Sequence, residues 1–574
     1  MLSLRVLIAA VIIAAGTSCY AQDDDGPSLK PSSEKEMKER ITRAKKKVGW
    51  PDPEIGKGAL DEKEAAKYAE MKHLFKRPHF NKPTPEFEEQ WKKLASYPIP
   101  EWMLDGKFGV YTHWGPSQVP EYTGAGNYIA HMYNPKGKEG IYQHHEETYG
   151  GIVETGYTDL IDMFTAPEYD AQEYVDIMLE SGATFGGLGL VHHDGYLMWD
   201  SNVSRWDSMD TGPKRDLFGE FVEAARKTDL KVMGSFHHAR SYNYTHKNID
   251  RSLLSDEQLA KADVFQDEYV DFFFPADKFP AAKFAQQWHD KIVEVSDKYQ
   301  PDFIWFDGVQ MQNEHSPEKV ALSALTHYYE TSHARGQDVT VCSKLPAGDT
   351  VTQTAWFNYP KDVGIRGYEN GRDMPADNGG YWLWDRAIAY PWGYVKDKKY
   401  KQDANYHVDS LVDIVARGGV FLLSLTPRAS GAIPEEEKTI MRGIGAWLKV
   451  NGEAIYGTRR WHIPGEDHND VTTWSYNKNR KRIAWLYNNV GPAQIRFTQS
   501  KDGTLFATVL GRPEGGKVRI RNLKAGSEYY PGDINRIELL GYDGDITFDR
   551  LDDVLEISFP DQAAESYAYA FKIL

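Results

Sequence analysis

The chain has 574 residues, 41% of them hydrophobic, and a formal net charge of −17. That length exceeds one ordinary domain and predicts two or three units. The acidic balance works against nucleic acid or anionic lipid as partners. Aromatic residues make up 13%, with 16 Trp and 34 Tyr, a supply that suits sugar binding as well as large cores.

In chain order, Arg5 precedes the apolar run Val6 to Ala15, which is too short to span a bilayer and matches the core of a signal peptide. Residues 1–21 are read as that signal, with cleavage after Ala21, which predicts a secreted or periplasmic protein. Lipoprotein anchoring through Cys19 ranks second, because Gly16 occupies the place of the usual aliphatic residue. The other cysteine is Cys342, so loss of Cys19 leaves no intrachain disulfide and stability must come from core burial. No later segment reads as a membrane span.

Residues 22–95 form a polar, proline-interrupted extension. Over residues 96–457 short apolar runs alternate with amphipathic stretches: strands at Phe108–Thr112, Phe185–Val191, Lys231–Phe236, Phe303–Phe306 and Val420–Leu425, with helices between them. This alternation predicts an α/β fold, a (β/α)8-like TIM barrel. Eight clean units are not countable from the sequence. From residue 458 to 574 the helical period disappears and turn-bounded strands predict a C-terminal antiparallel β-sandwich.

Barrel chemistry sits at the C-terminal strand ends, and four predicted ends carry polar or aromatic clusters: His113-Trp114, His192-His193, His237-His238 and Trp305-Phe306-Asp307. One histidine beside a strand is more often structural than functional, but four clusters in one structural position form a pattern. Zinc binding by the histidines ranks below metal-free chemistry. No zinc-ligand spacing is present, and adjacent histidines on a strand should point their rings apart. Asp307, after an apolar strand and before Gly308, is either a helix cap or a nucleophile for an anomeric carbon.

At this point the chain resembles the α-L-fucosidases of glycoside hydrolase family 29. The matching stretches are Lys107–Gly115 (KFGVYTHWG), His192–Ser201 (HHDGYLMWDS), Gly212–Asp216 (GPKRD), Pro301–Gly308 (PDFIWFDG), Trp392-Gly393-Tyr394 and the run Leu411 to Trp461. The resemblance implies a metal-free, cofactor-free retaining exo-hydrolase that releases terminal α-L-fucose from fucosylated oligosaccharides or polysaccharides. It implies Asp307 as nucleophile and His113, Trp114, His192, His193, His237 and Trp305 as sugar contacts.

Two departures stand out. Many members carry Trp-Glu where this chain has Trp382-Leu383, and leucine cannot transfer a proton. Glu369, in a Glu-x-Gly-Arg pattern with Arg372, is favoured as the replacement acid/base, carried over the site by a long loop; Asp385 is the alternative. Arg372 joins the expected sugar contacts. Where many members have Glu-Trp-Tyr, this chain has Gly126-Asn127-Tyr128, which admits a related substrate such as an α-L-galactoside. Loss of the usual glutamate also leaves open a catalytically impaired carbohydrate-binding protein.

Overall fold

The computed structural model describes residues 85–307, 318–344, 360, 362–369, 381–466 and 494–574. The expected signal peptide, most of the extension and Arg372 lie outside them.

The predicted barrel is present and regular. Eight parallel strands close on themselves in sequence order: β1 (Phe108–Thr112), β2 (Phe185–Val191), β3 (Lys231–Phe236), β4 (Phe303–Phe306), β5 (Thr340–Lys344), β6 (Ile365–Glu369), β7 (Trp382–Ala387) and β8 (Gly419–Leu425). Strands buried on both faces read as continuous apolar runs. The three that the sequence did not yield, β5 to β7, carry Lys344, Arg366, Glu369, Asp385 and Arg386, which break that signature. Inside the barrel, Tyr111, Phe185, Met233, Trp305, Leu383 and Leu422 belong to one buried cluster. They stack in layers as alternate residues of each strand turn inward. Gly187 lets β2 and β3 meet, since a Cβ there would stand 1.8 Å from the Met233 carbonyl oxygen.

Helices cover the outside: α1 (Glu88–Ala95), α2 (Ala171–Glu180), α3 (Leu217–Ala225), α4 (Ala281–Lys298), α5 (Glu318–Ala334), α6 (Ala404–Ala416) and α7 (Glu435–Asn451). Aspartates start several of them. Asp170 accepts from the Gln172 and Glu173 amides, and Asp216 and Asp403 cap α3 and α6, filling donors a helix start leaves open. The last part of the polar extension belongs to the barrel, because the Trp91 indole of α1 donates to Glu318 of α5 at 2.8 Å. No helix among the described residues is long and apolar enough to cross a membrane.

After α7 the chain becomes antiparallel β. A five-stranded sheet and a three-stranded sheet enclose a core that includes Trp461, Phe497, Val509, Ile520, Leu555 and Phe571. This domain is fastened to the barrel by a buried ion pair. Arg496 Nε on the strand Ile495–Ser500 lies 2.6 Å from Asp413 Oδ1 of α6, and Arg417 Nε lies 3.1 Å from the same carboxylate. Burial pushes the Asp413 carboxyl up, but the two guanidiniums outweigh it and hold it below the usual range.

Breaking a buried pair from one side leaves an uncompensated charge. Asp413→Asn should therefore cost roughly 3–5 kcal/mol in denaturant unfolding. In the parent protein the carboxylate's contribution is present above its unfolded pKa of about 4 and is lost as pH falls through the lower folded value. The Asp413→Asn variant should lack that part of the acid dependence; equal stability of the two proteins at neutral pH would contradict it.

Candidate active site

At the C-terminal mouth the inward-facing positions of successive strands place the expected groups side by side. Asp307 directly follows β4. Its amide still donates to the Phe236 carbonyl at 2.9 Å, so the strand ladder positions it, and only 3% of the residue is exposed. Its Oδ2 lies 3.6 Å from His193 Nε2 and 3.7 Å from Arg240 Nε. Arg240 comes from the loop after β3. It was not among the expected site residues, since nothing in its local pattern marks an arginine three residues past His237.

Hydrogen bonds set the histidine tautomers. His193 Nδ1 lies 3.1 Å from the His237 carbonyl oxygen, which can only accept, so Nδ1 carries the proton and Nε2 faces Asp307. His113 Nδ1 lies 2.8 Å from Ser424 Oγ on β8. The Ser424 hydroxyl itself donates to the Leu425 carbonyl, so His113 Nδ1 is the donor to Ser424 and His113 Nε2 keeps its lone pair. His192 sits among His113, His193 and His237, with ring centroids 5.4, 4.3 and 4.6 Å away. Burial first, then these neighbouring imidazoles, hold its pKa well below the usual histidine value. His237 packs on Trp305 at 5.1 Å, and the Trp305 indole N–H is buried without a protein partner among the described residues.

Three expectations need correction. The rings of His192 and His193 do not point apart; their centroids are 4.3 Å from each other. The register of β2 slips between Gly189 and Val191, and the chain has left the strand by His192, so period-two alternation no longer applies. Trp114 faces away from His113, out of the barrel, against Phe164, Tyr169 and Tyr174, and its indole donates to the Arg428 carbonyl at 2.8 Å. It packs the strand end rather than facing the imidazoles. Glu369 is not carried by a long loop; it is the last residue of β6.

Glu369 and Asp385 are register partners on β6 and β7, on the inward faces that begin with Ile365 and Leu383. The Tyr111 hydroxyl donates to Asp385 Oδ2 at 3.4 Å. Burial, then Asp385, Glu369 and Asp307 in that order, push the Tyr111 phenol well above its usual range, so three carboxylates bear on one hydroxyl. Asp385 is 1% exposed, whereas Glu369 is half-buried. Leu383 is fully buried one inward position below Asp385.

Two aspects of the first long loop bear on the pocket. Trp392, on the loop after β7, lies 4.6 Å from His113, and its carbonyl accepts from the Ala125 amide. Gly126 has φ +80°, and a Cβ there would come within 2.9 Å of His192 and 3.0 Å of His193. A side chain at this position is therefore excluded while the two histidines hold their places.

A closed α/β barrel whose mouth carries carboxylates amid clustered imidazoles and aromatic rings belongs with the hydrolytic barrels. The α-L-fucosidase family model matches residues 74–453, and the α-L-fucosidase C-terminal domain model matches residues 488–574. The chain belongs to the α-L-fucosidase family of glycoside hydrolases. It is similar to the tissue α-L-fucosidase of Mus musculus, 27% identical over 486 residues that cover 83% of this chain and 90% of that one. The α-L-fucosidase of Dictyostelium discoideum is 28% identical over 395 residues, 66% of this chain and 76% of that one. Among solved structures, the Thermotoga maritima α-fucosidase in complex with fucose shares the fold, with a TM-score of 0.61, 24% identity, and coverage of 84% of this chain and 99% of that one.

With its pKa held below the usual histidine value, His192 should stay neutral through the range where a free histidine titrates. Nitrogen-detected NMR should show His192 among the imidazoles that do not shift across this range, with the buried His238 and His407, and His192→Gln should remove one such signal. A ring at position 192 that titrates near 6.5 would contradict the packing described.

Proposed function

We propose that this protein is a retaining exo-α-L-fucosidase in which Asp307 is the nucleophile and Glu369 the acid/base. The observation that carries the reading is Asp307 itself: a buried carboxylate at a barrel strand end, flanked by His193 and Arg240 and bordered by clustered imidazoles.

In the first step Asp307 attacks the anomeric carbon of a terminal α-L-fucoside while Glu369 protonates the departing glycosidic oxygen. The anomeric C–O bond breaks as the Asp307 ester forms. In the second step Glu369 takes a proton from water, water attacks the anomeric carbon, and Asp307 leaves as carboxylate. His113 Nε2, with its lone pair turned inward, accepts from a sugar hydroxyl, and Trp392 offers a flat face beside it. Half-burial favours Glu369 over Asp385 for the proton-transfer role. A proton donor must reach the leaving group and exchange with water, while Asp385, its register neighbour, is buried on the Tyr111 hydroxyl. The Arg240 cation beside Asp307 stabilises the carboxylate as it departs. The absence of side chains at Gly126 supports a reshaped pocket, so an aryl α-L-galactoside belongs beside the fucoside in any assay. Export from the cytoplasm is part of this reading and rests on the apolar run Val6 to Ala15.

Aryl α-L-fucoside hydrolysis tests the assignment. Asp307→Ala should lose at least about a thousandfold in kcat. Glu369→Ala should lose activity on poor leaving groups, be partly spared on activated ones and regain turnover with azide. The same azide response in Asp385→Ala, and not in Glu369→Ala, would transfer the acid/base role to Asp385. No hydrolysis of either glycoside by the parent protein would favour a sugar-binding protein on this scaffold.

Arg240→Gln should lower kcat about tenfold to a hundredfold. That is less than loss of a direct oxyanion donor, because the 3.7 Å separation and partial exposure weaken the interaction. Arg240→Lys should restore part of the loss. Full activity in Arg240→Gln would remove the residue from the mechanism.

A further inference from the structure

We propose that His113, His192 and His237 together form a binding site for a borderline transition-metal cation such as Zn2+, Co2+, Ni2+ or Cu2+, and that the bound metal blocks the pocket rather than serving the reaction. The three residues stand at the ends of β1, β2 and β3, and one ring nitrogen from each lies within 4.8 Å of the other two. Ring-centroid separations of 5.4, 5.0 and 4.6 Å complete the triangle.

The chemistry of the donors selects the class of ion. Three imidazoles with no oxygen ligand among them suit zinc, cobalt, nickel and copper, and not magnesium or calcium. His113 is already oriented as a ligand. Its Nδ1 is held by Ser424 Oγ at 2.8 Å, the outer-shell bond that turns Nε2 and its lone pair inward. His192 Nδ1 is buried without a protein partner among the described residues. Asp307 supplies a nearby negative charge through the His193 contact. A tetrahedral zinc with nitrogens about 2.0–2.1 Å away holds them about 3.3 Å apart. The rings therefore close by no more than about 1.5 Å, which modest side-chain rotations supply. Three protein ligands leave a fourth position open, and in this geometry it faces the pocket. The sequence alone argued against such a site, because it placed neighbouring histidine rings on opposite sides.

The site itself rests only on this geometry. The inhibition it predicts rests additionally on the fucosidase reading, since the same imidazoles then meet the sugar. The test uses the full-length protein stripped of metal with a chelator and titrated with Co2+. The expected result is a visible cobalt absorption band saturating near one equivalent, displaced by Zn2+ and unaffected by excess Mg2+ or Ca2+. His113→Gln and His237→Gln should each abolish the band, with thermal melting used to accept only folded variants. In aryl α-L-fucoside hydrolysis by the parent protein, micromolar Zn2+ should raise the apparent KM at least tenfold with kcat unchanged, and chelator should restore the original value. No cobalt band, or a band retained in both folded variants, overturns the metal site while leaving the fucosidase reading untouched. A band without any fucoside hydrolysis keeps the metal site and overturns the activity. Loss of activity on chelation would overturn the inhibitory role.

Discussion

Closure of eight parallel strands into one barrel is the constraint on which the rest of the molecule depends. Once the sheet is closed, every second residue of each strand must face the interior, and the inward positions near and just beyond the strand ends share the mouth. That geometry brings His113, His237, Asp307, Glu369, Asp385 and Ser424 together, although more than three hundred residues separate the first from the last. Below the ring, Tyr111, Trp305 and Leu383 fill the interior, so the polar groups above stand on a packed floor. A barrel that did not close would leave these groups unpositioned relative to one another.

The ring holds two kinds of electrostatics side by side. On one side, imidazoles crowd each other and burial keeps His192 neutral, a state suited to hydrogen bonding with hydroxyls. On the other, three carboxylates converge near Tyr111, and one of them, Asp307, has the Arg240 cation 3.7 Å away. Clustered imidazoles thus adjoin charged carboxylates and a guanidinium within one mouth. The same crowding puts three ring nitrogens within 4.8 Å of one another, so under the two proposals a metal and a substrate compete for one place.

Legibility in the sequence followed the range of the interactions involved. Asp307, His113, His192, His193, His237 and Trp305 were readable because each lies at the end of an apolar run or inside a family motif, and local pattern marks strand ends. Arg240 and Trp392 were not assigned because loops bring them in, and a loop's path depends on what it packs against: the Trp392 carbonyl on the Ala125 amide. Trp114 was misassigned because a motif neighbour of His113 looks like a partner, whereas alternation sends the next side chain to the opposite face. Glu369 was favoured over Asp385 from a motif alone, and its place on the barrel wall was hidden by the polar residues that make β6 look unlike a buried strand.

The sequence by itself determined the two-domain plan, the parallel barrel, the nucleophile candidate and the family, because these rest on periodicity and on motifs carried by contiguous residues. Only the tertiary structure decided the tautomers of His113 and His193, the pairing of Asp307 with Arg240, the shared level of Glu369 and Asp385, and the three-histidine triangle. Each of these is a distance between residues far apart in the chain or displaced by a strand irregularity. The slip in β2 between Gly189 and Val191 shows the reason: one residue of register decides whether two adjacent imidazoles diverge or share a pocket, and hydrophobic pattern does not report a shift that small.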